Sequence, residues 1–111
     1  MDDLIWLTRW YASRCDGSWE HQNGIKIDTL DNPGWMLRIN LEETDLENRP
    51  FEPQRNSTES EAYGPTRVVS WWICHVEKKE FVAACGPHDL PAIISIFREW
   101  ADQAKPGTNY R

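Results

Sequence analysis

At 111 residues, with 18 acidic against 12 basic side chains and a formal net charge of −6, the chain has the length of one domain and an acidity that phosphate backbones repel. A mean hydropathy of −0.69 and the lack of any run near 18 apolar residues exclude a helical membrane span. Three cysteines, an odd number, behind an acidic Met1-Asp2-Asp3-Leu4 start fit free thiols in a cytoplasmic protein rather than a secreted disulfide scaffold.

Asp2 or Asp3 can cap a first helix that runs to about Arg14, with Leu4, Leu7 and Tyr11 on one stripe and Trp6 and Trp10 beside it at i, i+4. Gly17 and Gly24 then bracket an irregular stretch. Ile25-Lys26-Ile27-Asp28 alternates with period two and predicts a strand. Asp31-Asn32-Pro33-Gly34 is a turn signal, with proline fixing φ and glycine expected to supply a positive φ. Trp35 to Leu41 alternates again, with Trp35, Leu37, Ile39 and Leu41 on one face, so these two strands predict a hairpin.

Residues 42–66 are polar, contain Pro50, Pro53 and Pro65, and are expected to be a mobile acidic loop in which Phe51 at most pins a short edge strand. Val68 to Val76 predicts a strand apolar on both faces, hence central, and Glu77-Lys78-Lys79 turns it into a further strand, Glu80–Cys85. Gly86-Pro87 ends that strand. Asp89 is expected to cap a last helix in which Leu90, Ile93, Ile94, Phe97, Trp100 and Ala101 follow the 3.6-residue period. Residues 105–111 read as a frayed tail. The predicted architecture is α+β: one domain over 1–111, an antiparallel sheet of four to five strands, and N- and C-terminal helices packed on it.

Seven tryptophans stand in this short chain, and two of them, Trp19 and Trp35, fall in turn-rich polar segments. Either they roof the core, or they anchor a partner, since large rings carry contact area at low entropic cost. Around them lie Asp16, Glu20, His21 and Asp31, and residues 42–61 hold seven acidic against two basic side chains. These charges either solvate a loop or attract a basic protein. Asp16, Trp19, Glu20, His21, Asp31 and Trp35 are therefore the candidate contact surface, with Glu42, Glu43, Asp45 and Glu47 as its electrostatic fringe.

Catalytic signatures are weak. Cys85-Gly86-Pro87-His88 is the one short ligand-like pair, and no CxxC or HxxxH completes four zinc ligands. Asp16 beside Cys15 raises a thiol's pKa, the wrong direction for a nucleophile. No metal, cofactor or nucleic acid is expected. The alternative is a small metalloprotein or thiol enzyme using Cys15/His21 or Cys85/His88.

Trp6-Leu7-x-x-Trp10-Tyr11, Cys15-Asp16-Gly17-x-Trp19-Glu20-His21 and Gly24-Ile25-x-Ile27-x-Thr29-Leu30-Asp31-Asn32-Pro33-Gly34-Trp35 are the most specific runs, and Trp72-x-x-x-Val76 and Gly86-Pro87-x-x-Leu90 follow. Over roughly residues 4–101 this pattern resembles the immunity protein 53 family of bacterial polymorphic toxin systems. The resemblance implies a cytoplasmic protein that performs no reaction and neutralises a cognate toxin domain by occluding it. An acidic inhibitor would suit a toxin with a basic cleft, such as a nuclease.

Overall fold

Helix α1 (Asp3–Arg14) begins where the Asp2 carboxylate accepts a hydrogen bond from the Leu4 amide at 2.9 Å, and ends where Cys15 turns to an extended conformation. The computed structural model describes residues 2–59 and 69–103. One turn of helix, α2 (Trp19–Gln22), occupies the segment expected to be irregular. It is followed by β1 (Ile25–Leu30), β2 (Gly34–Asn40), β3 (Gln54–Glu59), β4 (Val69–Glu77), β5 (Glu80–Cys85) and α3 (Leu90–Gln103).

The five strands form one antiparallel sheet in the order β1-β2-β5-β4-β3. Both predicted hairpins are present, and β2 joins them by pairing with β5. The middle position thus belongs to β5, with β4 second from the far edge. Leu37, Ile39, Phe81, Ala83, Cys85 and Cys74 point to one face, and each is 1% exposed or less. Trp72 lies on that face and packs against the core.

Amphipathic α3 covers this face with Ile93, Ile94, Phe97 and Trp100. Phe97 is fully buried, with ring centroids 5.1 Å from both Trp10 and Phe81 and 5.9 Å from Trp6. That geometry corrects the face assigned to α1. Trp6, Leu7 and Trp10 meet the core, whereas Leu4 and Tyr11 are 56% and 36% exposed. Two indoles bury more area than a leucine and a tyrosine, and they find edge-to-face partners on Phe97.

Residues 42–66 are not one open loop. Leu46 is 1% exposed, and Phe51 packs between Phe81 (5.4 Å) and Trp100 (5.1 Å), whose indole N–H donates to the Pro50 carbonyl at 2.9 Å. Gln54–Glu59 then pairs with β4 as a full edge strand. Its polar sequence carries no alternation, because backbone hydrogen bonds to β4 supply the pairing without a buried face. Residues 60–66 of the expected loop and the tail 105–111 lie outside the described residues.

Two turn expectations also change. Gly34 is needed for a close approach, not for a positive φ: a Cβ there would collide with the Cys85 carbonyl oxygen on β5. Among the described residues the positive-φ glycines are Gly17 and Gly24, and the Asn32–Pro33 peptide is cis. Asp89 starts α3 with its backbone carbonyl, which accepts from Ala92 and Ile93. Its carboxylate turns to β4 instead, accepting from the Ser70 hydroxyl (2.9 Å) and the Trp71 amide (3.0 Å).

A candidate partner-binding surface

The segment between α1 and β1 is built by its own carboxylates. Asp16 accepts from the Ser18 and Trp19 amides, both at 2.9 Å, and Glu20 accepts from the Asp16 and Gly17 amides at 2.9 and 2.8 Å. This reciprocal arrangement satisfies the free amides ahead of α2 in the manner of a capping box. The amides of Trp19 and Ser18 hold the Asp16 carboxyl below the usual carboxylate range. Glu20 is lowered in the same way, by its own amide and, against partial desolvation, by those of Asp16 and Gly17.

A depressed folded-state pKa contributes stability above the unfolded pKa and loses it as pH falls. The order of this loop should therefore persist at neutral pH and weaken from about pH 4 downward. An acid titration followed by the amide resonances of Gly17, Ser18 and Trp19 checks this. Asp16→Asn should flatten the response, and an unchanged titration in that variant would refute the assignment.

Trp19 is 3% exposed, and its indole N–H donates to the Glu42 carbonyl at 2.9 Å. The ring meets Trp10 edge to face (6.2 Å) and Tyr11 at a tilt (6.0 Å). It therefore offers no open face to a partner, which corrects its reading as a contact ring. Its role is to tie the Asp16–Gln22 segment to the chain leaving β2, with Asp16 and Glu43 on one cleft.

The chain after β2 is equally ordered. The Thr44 hydroxyl donates to the Leu41 carbonyl at 2.7 Å, and Glu47 accepts from the Glu43 amide at 2.9 Å. Glu47 also pairs with Lys79 of the β4–β5 turn at 2.8 Å, which lowers the Glu47 pKa and raises that of Lys79. Arg14 lies 3.4 Å from Asp45, with its guanidinium 5.6 Å from the centroid of the Trp10 ring. Arg14 is half-buried and Asp45 exposed, and at 3.4 Å this surface pair contributes little stability.

The outcome is an acidic end of the molecule. Arg14 pairs with Asp45 and shares a cleft with Asp16 and Glu43, Lys79 pairs with Glu47 and feels the charge of Glu42, and Glu20 is held on the amides of Asp16 and Gly17. A cleft of about 240 Å³ lies between Arg14, Asp16, Trp19 and Glu43, and another of about 410 Å³ runs along Thr44, Asp45, Glu47 and Arg49. Arg14, Thr44 and Lys79 were not candidates from sequence. The i, i+4 spacing of Trp10 and Arg14 was the one available hint.

His21 is exposed at the end of α2. Asp31 and Trp35 do not join this cluster. Asp31 is exposed in the β1–β2 turn, and the half-buried Trp35 donates its indole N–H to the Pro87 carbonyl at 3.0 Å. Seven residues of extended chain separate Trp35 from Glu42, roughly 20 Å. The expected single surface is thus divided between the two ends of β2.

The thiols are placed as packing groups. Burial pushes Cys74 up to about 12 and Cys85 up to about 11, far from a reactive thiolate, while His88 is exposed. The Cys15 sulfur donates to the Tyr11 carbonyl at 3.3 Å. Among the described residues no group of three or more His, Cys, Asp or Glu could hold a metal ion, and no helix is long and apolar enough to cross a membrane.

The curated proteins and the solved structures hold no match to this chain. A family model does match, and it spans residues 4–102, from the first turn of α1 to the last turn of α3. With that match spanning the three helices and the sheet, the chain belongs to the immunity protein 53 family.

Proposed function

We propose that this protein binds the active domain of a cognate bacterial toxin in the cytoplasm and neutralises it by occlusion, without catalysing a reaction. The observation that carries this reading is the family match over residues 4–102. The acidic end supports it, because six carboxylates on ordered backbone favour a partner with a basic surface and speed its encounter. A nuclease toxin fits that requirement, since a cleft that holds a phosphate backbone must itself be basic. Asp16, Glu20, His21, Glu42, Glu43, Asp45 and Glu47 are the proposed contacts of this end. Trp19 supports them from beneath, and Asp31 and Trp35 form a separate, secondary edge.

Co-expression with the C-terminal domain of a toxin encoded beside this protein, followed by pull-down and growth rescue, tests the function. A stable complex that restores growth supports it; neither complex nor rescue with any neighbouring candidate sinks it. With a partner in hand, Glu42→Lys combined with Glu43→Lys should slow association about tenfold at low salt and converge on the wild-type rate near 1 M salt, roughly where screening is complete. An on-rate unchanged at low salt would remove the steering role of this end.

A further inference from the structure

Strand β1 is an edge strand, and the face beside it is uncovered. Leu4, Tyr11 and Ile27, three of the exposed large apolar side chains, line a groove of about 500 Å³ between α1 and β1. The hydrogen-bonding phase of β1 follows from its partner. The Asn40 amide donates to the Gly24 carbonyl at 2.9 Å, in register with Ile25 opposite Ile39. Antiparallel pairs alternate, so residues 24, 26, 28 and 30 direct their N–H and C=O groups to β2. The backbone groups of Ile25, Ile27 and Thr29 therefore point outward, along an edge with no strand beside it among the described residues.

We propose that this edge pairs with a second copy of the chain, β1 against β1 in antiparallel fashion about a two-fold axis at Ile27. The side chains single out both the occupant and the register. With Ile27 opposite its own copy, Ile25 faces Thr29 of the other chain, so three pairs each exchange two backbone hydrogen bonds. On the open face Lys26 then lies opposite Asp28 of the other copy, and Asp28 opposite Lys26. On the groove face the two Ile27 side chains meet, and the exposed Leu4 and Tyr11 of each copy close over them.

A slip of one pairing step in either direction keeps the hydrogen-bonding phase but sets Lys26 against Lys26, or Asp28 against Asp28. Like charges directly opposite destabilise a ladder. Neither Lys26 nor Asp28 makes an ion pair within its own chain among the described residues. The strand is thus self-complementary in one register. An isologous contact of this kind closes as a dimer instead of growing into a filament. An exposed edge that would otherwise invite unspecific pairing is thereby covered.

This inference does not depend on the toxin-binding reading, because it uses the opposite side of α1 from the Arg14–Asp45 end. The test is the mass of the purified full chain by light scattering and sedimentation from about 1 μM to about 1 mM. The expected mass at high concentration is twice the 13.0 kDa of the chain. Lys26→Asp or Asp28→Lys alone should weaken the dimer about tenfold, since each turns two attractive pairs into repulsive ones. The double variant Lys26→Asp with Asp28→Lys should restore it.

Ile27→Pro deletes an outward N–H while leaving the β1–β2 ladder its own bonds, so it should yield a folded monomer, checked by circular dichroism. A wild-type chain that stays monomeric throughout overturns the proposal. So does a dimer indifferent to Ile27→Pro and to the single swaps, which would use another surface. If this edge is occupied only when a different protein's strand is added, the second copy is the wrong occupant and the proposal fails equally.

Discussion

Gly34→Ala should destabilise the protein by about 3 kcal/mol or more, and lower Tm on the order of 15 °C, although it adds one methyl group. The added Cβ would overlap the Cys85 carbonyl oxygen, with the carbonyl carbon 3.3 Å away and a Leu30 methyl at 3.5 Å. Both obstructing atoms on β5 are backbone, so no rotamer change relieves the overlap. The strands must part where Trp35 pairs with Cys85, at the seam that joins the two hairpins into one sheet. Thermal and denaturant unfolding measure the loss. A change under about 1 kcal/mol would mean that the β2–β5 seam yields easily, and that close approach is not what holds glycine at this position.

Trp19→Ala should cost about 3–5 kcal/mol of folding stability, in the range for truncating a buried aromatic. Three losses combine. The cavity lies against Trp10 and Tyr11, the Glu42 carbonyl loses its donor, and the Asp16–Gln22 segment is released from the chain after β2. Trp19→Phe keeps most of the ring and forfeits the hydrogen bond, so about 1–2 kcal/mol is expected. The decisive comparison is between unfolding and binding. The loss should appear in stability, with the affinity of the folded fraction nearly unchanged. A Trp19→Ala protein that unfolds like wild type but binds a toxin poorly would restore the ring as a direct contact.

The contrast between Trp19 and Trp6 or Trp10 shows where reading a sequence runs out. Every strand with a buried face was legible, because Leu37, Ile39 and Leu41 alternate and α3 carries its apolar residues at helical spacing. The strand Gln54–Glu59 was not legible, since an edge strand held by its backbone alone needs no apolar alternation. The face of α1 was misjudged for a related reason. Periodicity places Leu4, Leu7 and Tyr11 on a stripe, but the core selects the face that meets Phe97, and Phe97 lies some ninety residues away.

The same limit governs the candidate site. Asp16 and Glu20 stood out as an acidic pair beside turn residues. Their carboxylates bind the loop's own amides, a use visible only once the loop is closed. Asp31 and Trp35 belong to the family-like run that follows the one holding Trp19, yet they sit at the β1–β2 turn and the start of β2, so nearness in sequence became distance in space.

From sequence alone came the α+β class, the two hairpins, the terminal helices and the resemblance to immunity protein 53, because period, turn chemistry and motif order are local properties of a chain. Tertiary structure alone decided that Trp19 is buried, that Arg14 meets Asp45 and Lys79 meets Glu47, and that no described strand lies beside the outer edge of β1. Each of these depends on which surfaces meet across long separations, and a sequence fixes that only through the packing energy of the whole core.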